Sequence, residues 1–333
     1  MSREVLVLRE AEIRSVLDHA SCIRAVEAAF AAYATGRAEL PSVIHLDVPE
    51  AQGEIHIKAG YLHGGPAYAV KVASGFPANP SLGLPANDGL VLVFDARTGV
   101  PVALLFDNGF ITDLRTAAAG AVAAKHLAPR AVEIVGVIGS GTQARLQIDL
   151  LSQVRSFREV RVWGRSPEKA RRCAEDIARL RSLPEGCRVT QAGSVREAVR
   201  EAGVVVTVTA SRDPLVEASW LAPGGLVVAV GSDGADKQEL HTDVLARADR
   251  VVADSLAQCR RIGEIHHALA AGVLEESRIS ELGRIAAGLE PGRRADDEAI
   301  VCDLTGVGVQ DVAAAALVVE RARAEGLGQR ITR

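Results

Sequence analysis

Two hydrophobic rhythms divide the chain. Up to about residue 130, after an opening helical stretch from Ser21 to Gly36, apolar and polar positions mostly alternate. In GEIHIKAG (53–60) Ile55 and Ile57 share one face while Glu54, His56 and Lys58 share the other. AYAVKVASG (67–75) sets Lys71 opposite Val70 and Val72. A period of two is the signature of half-buried strands. GLVLVFDARTGVPVALLFDN (89–108) predicts two strands joined by the turn Ala96-Arg97-Thr98-Gly99, so this region reads as an antiparallel meander. A helix from about Thr112 to Leu127 then stops before Pro129.

From residue 131 to 303 the rhythm changes. Short apolar runs (VEIVGVIG, EVRVWG, CRVTQ, GVVVTVTA, GLVVAVGS, DRVVAD and AIVCDLTG) are mostly separated by helical stretches. That alternation predicts an α/β fold, a parallel sheet with helices on both faces. A last amphipathic helix, VQDVAAAALVVERARAE (309–325), follows the final strand and is expected to return to the first part.

Composition narrows the function classes. A length of 333 residues allows two domains. The formal charge of −4 comes without a basic tract, which disfavours a nucleic-acid partner. No apolar run reaches the length of a bilayer span, and the N-terminal MSREVLVLREAEIRS has acids where a signal peptide has an apolar core. Five scattered cysteines without a CxxC fit reduced thiols in a cytoplasm. No metal is expected: there is no HExxH, and His266 and His267 are adjacent on a predicted helix.

The candidate chemistry starts at Gly139-Ser140-Gly141-Thr142-Gln143-Ala144, between a buried strand and a helix. Gly139 makes the tight turn, Gly141 lets backbone approach a pyrophosphate, and Ala144 lets the helix pack close. The helix N-terminus then offers N–H groups to the phosphates. At the end of the next strand an acid would read the ribose of NAD. This chain has Arg165 and Ser166 there, which favours NADP(H), with NAD(H) the alternative. Thr209, Gly231 and Ser232, at later strand ends, are further candidate cofactor contacts.

Lys71 lies mid-strand between Ala69 and Ala73, and Arg115 lies near the start of an Ala-rich helix. Both placements are costly unless an anion relieves them, and a bound carboxylate suits the guanidinium fork. Solvated surface cations are the bland alternative. Asp233, just after a strand, is placed to exchange protons with a substrate amine; a turn or cap role is equally open, and Asp236 is a rival. His45 and His56 are strand histidines that either face a substrate or serve structure.

Taken together, AVKVASGFPANPSLGLP, LLFDNGFITDLRTAAAGAVAAKHLA, VGVIGSGTQARLQ, VWGRS, VGSDGADKQEL and TGVGVQDVAAA resemble the ornithine cyclodeaminase/μ-crystallin family over nearly the whole chain. The resemblance implies a Rossmann-type doubly wound domain (131–305) inserted into a second α+β domain (1–130 plus 306–333) for substrate binding and dimerisation, in a homodimer. It implies that Lys71 and Arg115 bind the substrate carboxylate, that Asp233 handles the amine, and that Thr116 touches the cofactor. The family's ornithine enzymes carry an arginine and a glutamate where this chain has His45 and His56, which puts ornithine itself in doubt.

The shared chemistry is hydride exchange at the α-carbon of an amino or imino acid. A cyclodeaminase is the leading expectation. The alternatives are a ketimine reductase, an alanine-type dehydrogenase, or a μ-crystallin-like NADPH-binding protein without turnover.

Overall fold

A computed structural model describes residues 4–332. The outermost residues of the N-terminal stretch and of the predicted first domain lie outside the described residues. The elements run in the order β1 (Glu4–Arg9), α1 (Glu10–Val16), α2 (His19–Ala34), β2 (Ala38–Glu39), β3 (Ile44–Val48), β4 (Gly53–Leu62), β5 (Ala67–Gly75), β6 (Asn87–Asp95) and β7 (Pro101–Phe106). Then come α3 (Phe110–Leu127), β8 (Ile134–Ile138), α4 (Thr142–Leu151), β9 (Glu159–Trp163), α5 (Pro167–Ala178), β10 (Arg188–Gln191), α6 (Val195–Val199), β11 (Val204–Thr207) and β12 (Leu226–Ala229). The last are α7 (Thr242–Arg247), β13 (Arg250–Ala253), α8 (Leu256–Cys259), α9 (Gly263–Ala270), β14 (Ile279–Glu281), α10 (Leu282–Ala286), β15 (Ile300–Asp303), α11 (Gly308–Ala324) and β16 (Gln329–Thr332).

The chain forms two compact units, one running up to Arg115 and resuming at Val307, the other Thr116–Gly306. The first break falls inside α3, not after it as the strand pattern suggested. The reason is local packing: Gly120 lies against the side chain of Gln147 on α4, leaving no room for a Cβ. Gln147 Nε2 in turn donates to the carbonyl of Thr116 at 3.2 Å.

In the first unit the sheet runs β16-β1-β7-β6-β5-β4-β2, with β3 also paired to β4. The β4 to β7 meander is antiparallel, as its alternation predicted, and β1 adds parallel to β7. Helix α11 packs on β4, β5 and α2. It comes so close that a Cβ on Gly308 would sit 2.7 Å from the carbonyl oxygen of Ala59.

The second unit is a parallel sheet in the order β10-β9-β8-β11-β12-β15-β13-β14. Its central strands are buried along their length, apart from the half-buried Ile134 that opens β8, which is why they read as continuous apolar runs. The chain leaves β8 toward β9 and returns on its other side as β11, so the loop after β8 opens at the topological switch point where such sheets receive ligands.

Buried acids tie these strand ends together. Glu239, fully buried, accepts from the Thr207 hydroxyl at 2.7 Å, the Gly231 N–H at 2.8 Å and the Thr209 N–H. Glu264 accepts from the Glu239 and Leu240 N–H groups at 2.7 and 3.1 Å. Burial pushes the Glu239 carboxyl up to about 7 and the Glu264 carboxyl up to about 8, against the pull of those hydrogen bonds.

An acid raised in the folded state stabilises the fold below its unfolded value and loses that contribution as pH climbs through the folded value. The urea midpoint of the wild type should therefore fall between about pH 5 and pH 8. Glu264→Gln should start lower, because two backbone donors then share one acceptor, yet fall less over the same interval. Parallel profiles for the two proteins would contradict this account.

Candidate active site

In the second unit the glycine loop has the form its sequence required. Gly139 takes φ +135°, and a Cβ there would meet Val208 at 2.7 Å, so both backbone and space demand glycine. Around Gly141 a Cβ would meet nothing within 4 Å. Helix α4 starts at Thr142 with no side-chain cap, leaving its first N–H groups open to an anion.

Arg145, which the sequence reading passed over, fixes the loop. Its Nη1 donates to the Ser140 and Gly141 carbonyls, both at 2.9 Å, and Asp176 holds the guanidinium at 2.7 Å. With those carbonyls occupied by the guanidinium, the loop conformation is fixed at the start of α4. The loop thus fits a pyrophosphate on its own geometry.

The other predicted contacts of this unit are also placed. Arg165 is exposed just past β9, with no acid in the intervening Gly164 position. Ser166 caps α5 by accepting from Lys169 N–H, so it has a structural task beside any role as a donor. Gly164 presses on Ser140, whose Oγ would lie 2.8 Å from an added Cβ. Thr209 and Gly231 hang on Glu239, and Ser232 donates to the Lys237 carbonyl at 2.5 Å. Asp233 is exposed and paired with Lys237 at 2.6 Å, while Asp236 pairs with Arg212 at 3.0 Å.

In the first unit the structure brings Lys71 and Arg115 together and supplies a partner that the sequence reading missed. Both are buried, and both reach Oδ1 of Asp311, Lys71 Nζ at 3.0 Å and Arg115 Nε at 2.9 Å. Arg115 Nη1 also donates to Gln310 Oε1 at 2.7 Å. The anion that such placements call for is supplied within the chain, by α11. The signal was present as Gln310-Asp311 inside the otherwise apolar VQDVAAAALVV.

That carboxylate does not exhaust the cations. Asp311 uses one oxygen for both, and its Oδ2 and Gln310 Nε2 are buried without a hydrogen-bond partner among the described residues. Lys58 stands directly across from Lys71 in the β4–β5 ladder, on the same face.

Electrostatics follow from this crowding. Burial pushes the Lys71 ammonium down to about 7; Asp311 opposes the shift, while Arg115 and Lys58 add to it. For Asp311 burial alone would raise the carboxyl, but Arg115 and Lys71 outweigh it and hold it below the usual range. Asp107, which accepts from Ile111 N–H at 2.9 Å at the start of α3, is pushed up to about 6 by its burial.

His45 and His56 face each other across β3 and β4, with His45 Nδ1 and His56 Nε2 3.2 Å apart. Asp47 and Glu54 lie beside them on the same face.

The sequence model of the ornithine cyclodeaminase/mu-crystallin family matches residues 3–326. The chain belongs to this family. It is 44% identical over 325 residues to a putative dehydrogenase of Rhizobium meliloti, covering 97% of each chain. Among solved structures it is similar to an archaeal alanine dehydrogenase dimer with bound NAD, at 34% identity, TM-score 0.91 and 99% coverage of both chains. It is also similar to the Thermococcus litoralis Δ1-pyrroline-2-carboxylate reductase with NADH and L-proline, at 31% identity and TM-score 0.92, covering 98% of this chain and 100% of that one. No helix among the described residues is long and apolar enough to cross a membrane.

Removing Asp311 tests the cluster. Asp311→Ala leaves two buried cations without their shared anion, a loss of about 3–5 kcal/mol, read as a lower urea midpoint at pH 7. Asp311→Asn should lose less, since it keeps an acceptor. A midpoint unchanged in the alanine variant would show that the cluster is solvated and weak.

Proposed function

We propose that the protein is a nicotinamide-dependent imine reductase or amino-acid dehydrogenase acting at the α-carbon of a small amino or imino acid. The observation that carries this reading is the buried Lys71–Arg115 pair, which retains donors after Asp311 has been satisfied. A substrate carboxylate takes those donors, the guanidinium through Nη2 and the ammonium through its remaining N–H groups. Asp311 pre-sets both cations, so little ordering is left for the moment of binding.

The loop 139–143 and its helix N-terminus hold the dinucleotide phosphates, and Arg165 takes the 2′-phosphate of NADP(H). When bound, the nicotinamide supplies or accepts the hydride. Lys71 and Arg115 orient the substrate through its carboxylate and draw electron density from the α-carbon. Asp233 exchanges the proton of the substrate nitrogen. The relatives include an alanine dehydrogenase and a pyrroline-2-carboxylate reductase, and also cyclodeaminase-named proteins, so the choice between these reactions rests on the site itself.

Charge separates this reading from the cyclodeaminase one. A diamino acid would bring a second ammonium to a face where Lys58 already stands opposite Lys71, and like charges so placed repel. The deciding assay offers pyrroline-2-carboxylate with NADPH or NADH, pyruvate with ammonia, and ornithine with catalytic oxidised cofactor. Steady cofactor oxidation with an imino acid is expected. Ammonia and proline from ornithine without net reduced cofactor would replace this reading by the cyclodeaminase.

Two variants test the residues. Arg165→Ala should raise KM for NADPH about tenfold or more, the worth of a charge-assisted hydrogen bond of ~1.5–3 kcal/mol, and leave NADH nearly unchanged. Because burial holds Lys71 near 7, raising the pH through that value removes a positive charge from the carboxylate subsite. The wild-type kcat/KM should decline above pH 7, and Lys71→Arg, charged throughout, should move that decline upward. An identical alkaline limb in both proteins would count against Lys71 as the carboxylate ligand.

A further inference from the structure

The geometry points to a divalent transition-metal site on the β3–β4 hairpin, built from His45, His56 and Glu54 with Asp47 behind it. The register pairs His45 with His56 and Asp47 with Glu54. Side chains two residues apart share a face of a strand, so these four form a square on one face. One edge joins two imidazoles and the opposite edge two carboxylates. Like charges directly opposite each other across a ladder are destabilising, and a cation in the middle of the square removes that cost.

Distances fit a small ion. The facing nitrogens, His45 Nδ1 and His56 Nε2, are 3.2 Å apart. Two nitrogens on a tetrahedral zinc, each at about 2.0–2.1 Å, stand about 3.3 Å from one another. Glu54 Oε2 lies 3.7 Å from His56 Nε2, and the donor atoms of His45, Glu54 and His56 all fall within 4.8 Å of each other.

Asp47 completes the arrangement. Its Oδ1 is 2.9 Å from His45 Nε2. As the acceptor of that proton it fixes the tautomer in which Nδ1 offers a lone pair, the carboxylate–histidine relation that supports metal ligands. The rings meet nearly at right angles, 85°, with centroids 4.7 Å apart, so the two nitrogens converge rather than stack.

Two imidazoles and one carboxylate choose zinc or a neighbouring late first-row ion over calcium or magnesium, which prefer all-oxygen shells. Three protein donors leave a fourth position for water or another ligand. The sequence holds the motif as His-x-Asp and Glu-x-His, mirrored about the hairpin turn. Searches for short helical or CxxC spacings pass over it, so the proposal departs from the expectation of no metal.

The test uses the full chain, stripped with chelator and then titrated with zinc(II) by calorimetry, with metal content measured after dialysis. One zinc per chain is expected, together with cobalt(II) absorption bands of tetrahedral intensity. His56→Ala should abolish binding. Glu54→Gln, nearly isosteric, should weaken it at least tenfold, and Asp47→Asn should weaken it by roughly ten- to a hundredfold, the range for a ligand's supporting carboxylate. His63→Ala, a histidine of the same sheet paired with Glu39, should change nothing. Absence of stoichiometric zinc in the wild type, or binding retained in a folded His45→Ala/His56→Ala double variant, overturns the proposal.

Discussion

The first unit depends on one oxygen atom. Oδ1 of Asp311 receives both Lys71 and Arg115 in a buried setting, and in doing so it binds α11, β5 and α3 to one another. Burying three charges is expensive, and the mutual attraction only partly offsets it. With two cations to one anion the account stays positive. That imbalance is visible in Lys71, which burial and its cationic neighbours push toward the neutral form. A fold that keeps so costly an arrangement gains most when a second anion arrives, and in the proposed reading that anion is the substrate carboxylate.

The second unit uses buried acids for a different end. Glu239 and Glu264 carry no partner cation in their hydrogen bonds; Glu239 accepts from the Thr207 hydroxyl and the Thr209 and Gly231 N–H groups at the ends of β11 and β12, and Glu264 in turn accepts the N–H groups of Glu239 and Leu240. Strand ends at a switch point must leave the ladder and turn, so their amides lose ladder partners. A carboxylate can serve several such amides at once. Arg145 does the converse at the glycine loop by occupying two carbonyls. Both devices hold irregular backbone still where a ligand must approach.

The parallel sheet was legible because strands buried on both faces must be apolar throughout, and the meander because half-buried strands must alternate. Short pieces were less so: β14 has three residues and β16 is exposed along its length, too little pattern for either rule. At the site, Lys71 and Arg115 stood out as charges in costly places. Asp311 did not, because nothing local says that residue 311 meets residue 71. Its contact is made by packing, and only an acid inside an apolar helix hinted at it. The hairpin square escaped for a related reason: the residues are close in sequence, but a two-strand register sets their pairing, and the turn type that fixes that register, with Gln52 in the left-handed region, is not spelled by a glycine.

The choice among the family's reactions turns on charge. A cyclodeaminase substrate carries two amines and one carboxylate, and its distal ammonium must be neutralised or made to give up its proton before it attacks the imine. The nearest ladder neighbours of Lys71 on its face are Lys58 and, next along β4, His56, and the Asp311 carboxylate is already shared between Lys71 and Arg115. Lys58 has one favourable effect on such a substrate: a positive field lowers an amine's pKa and favours the free base that attacks. But that field acts on the ground state too, so it weakens binding of the charged diamine by as much as it promotes deprotonation, and no net rate is gained. An α-imino acid with a neutral or anionic side chain pays no such penalty. A neutral side chain escapes that repulsion and an anionic one meets the field as an attraction, which is why we place the reductive reading first.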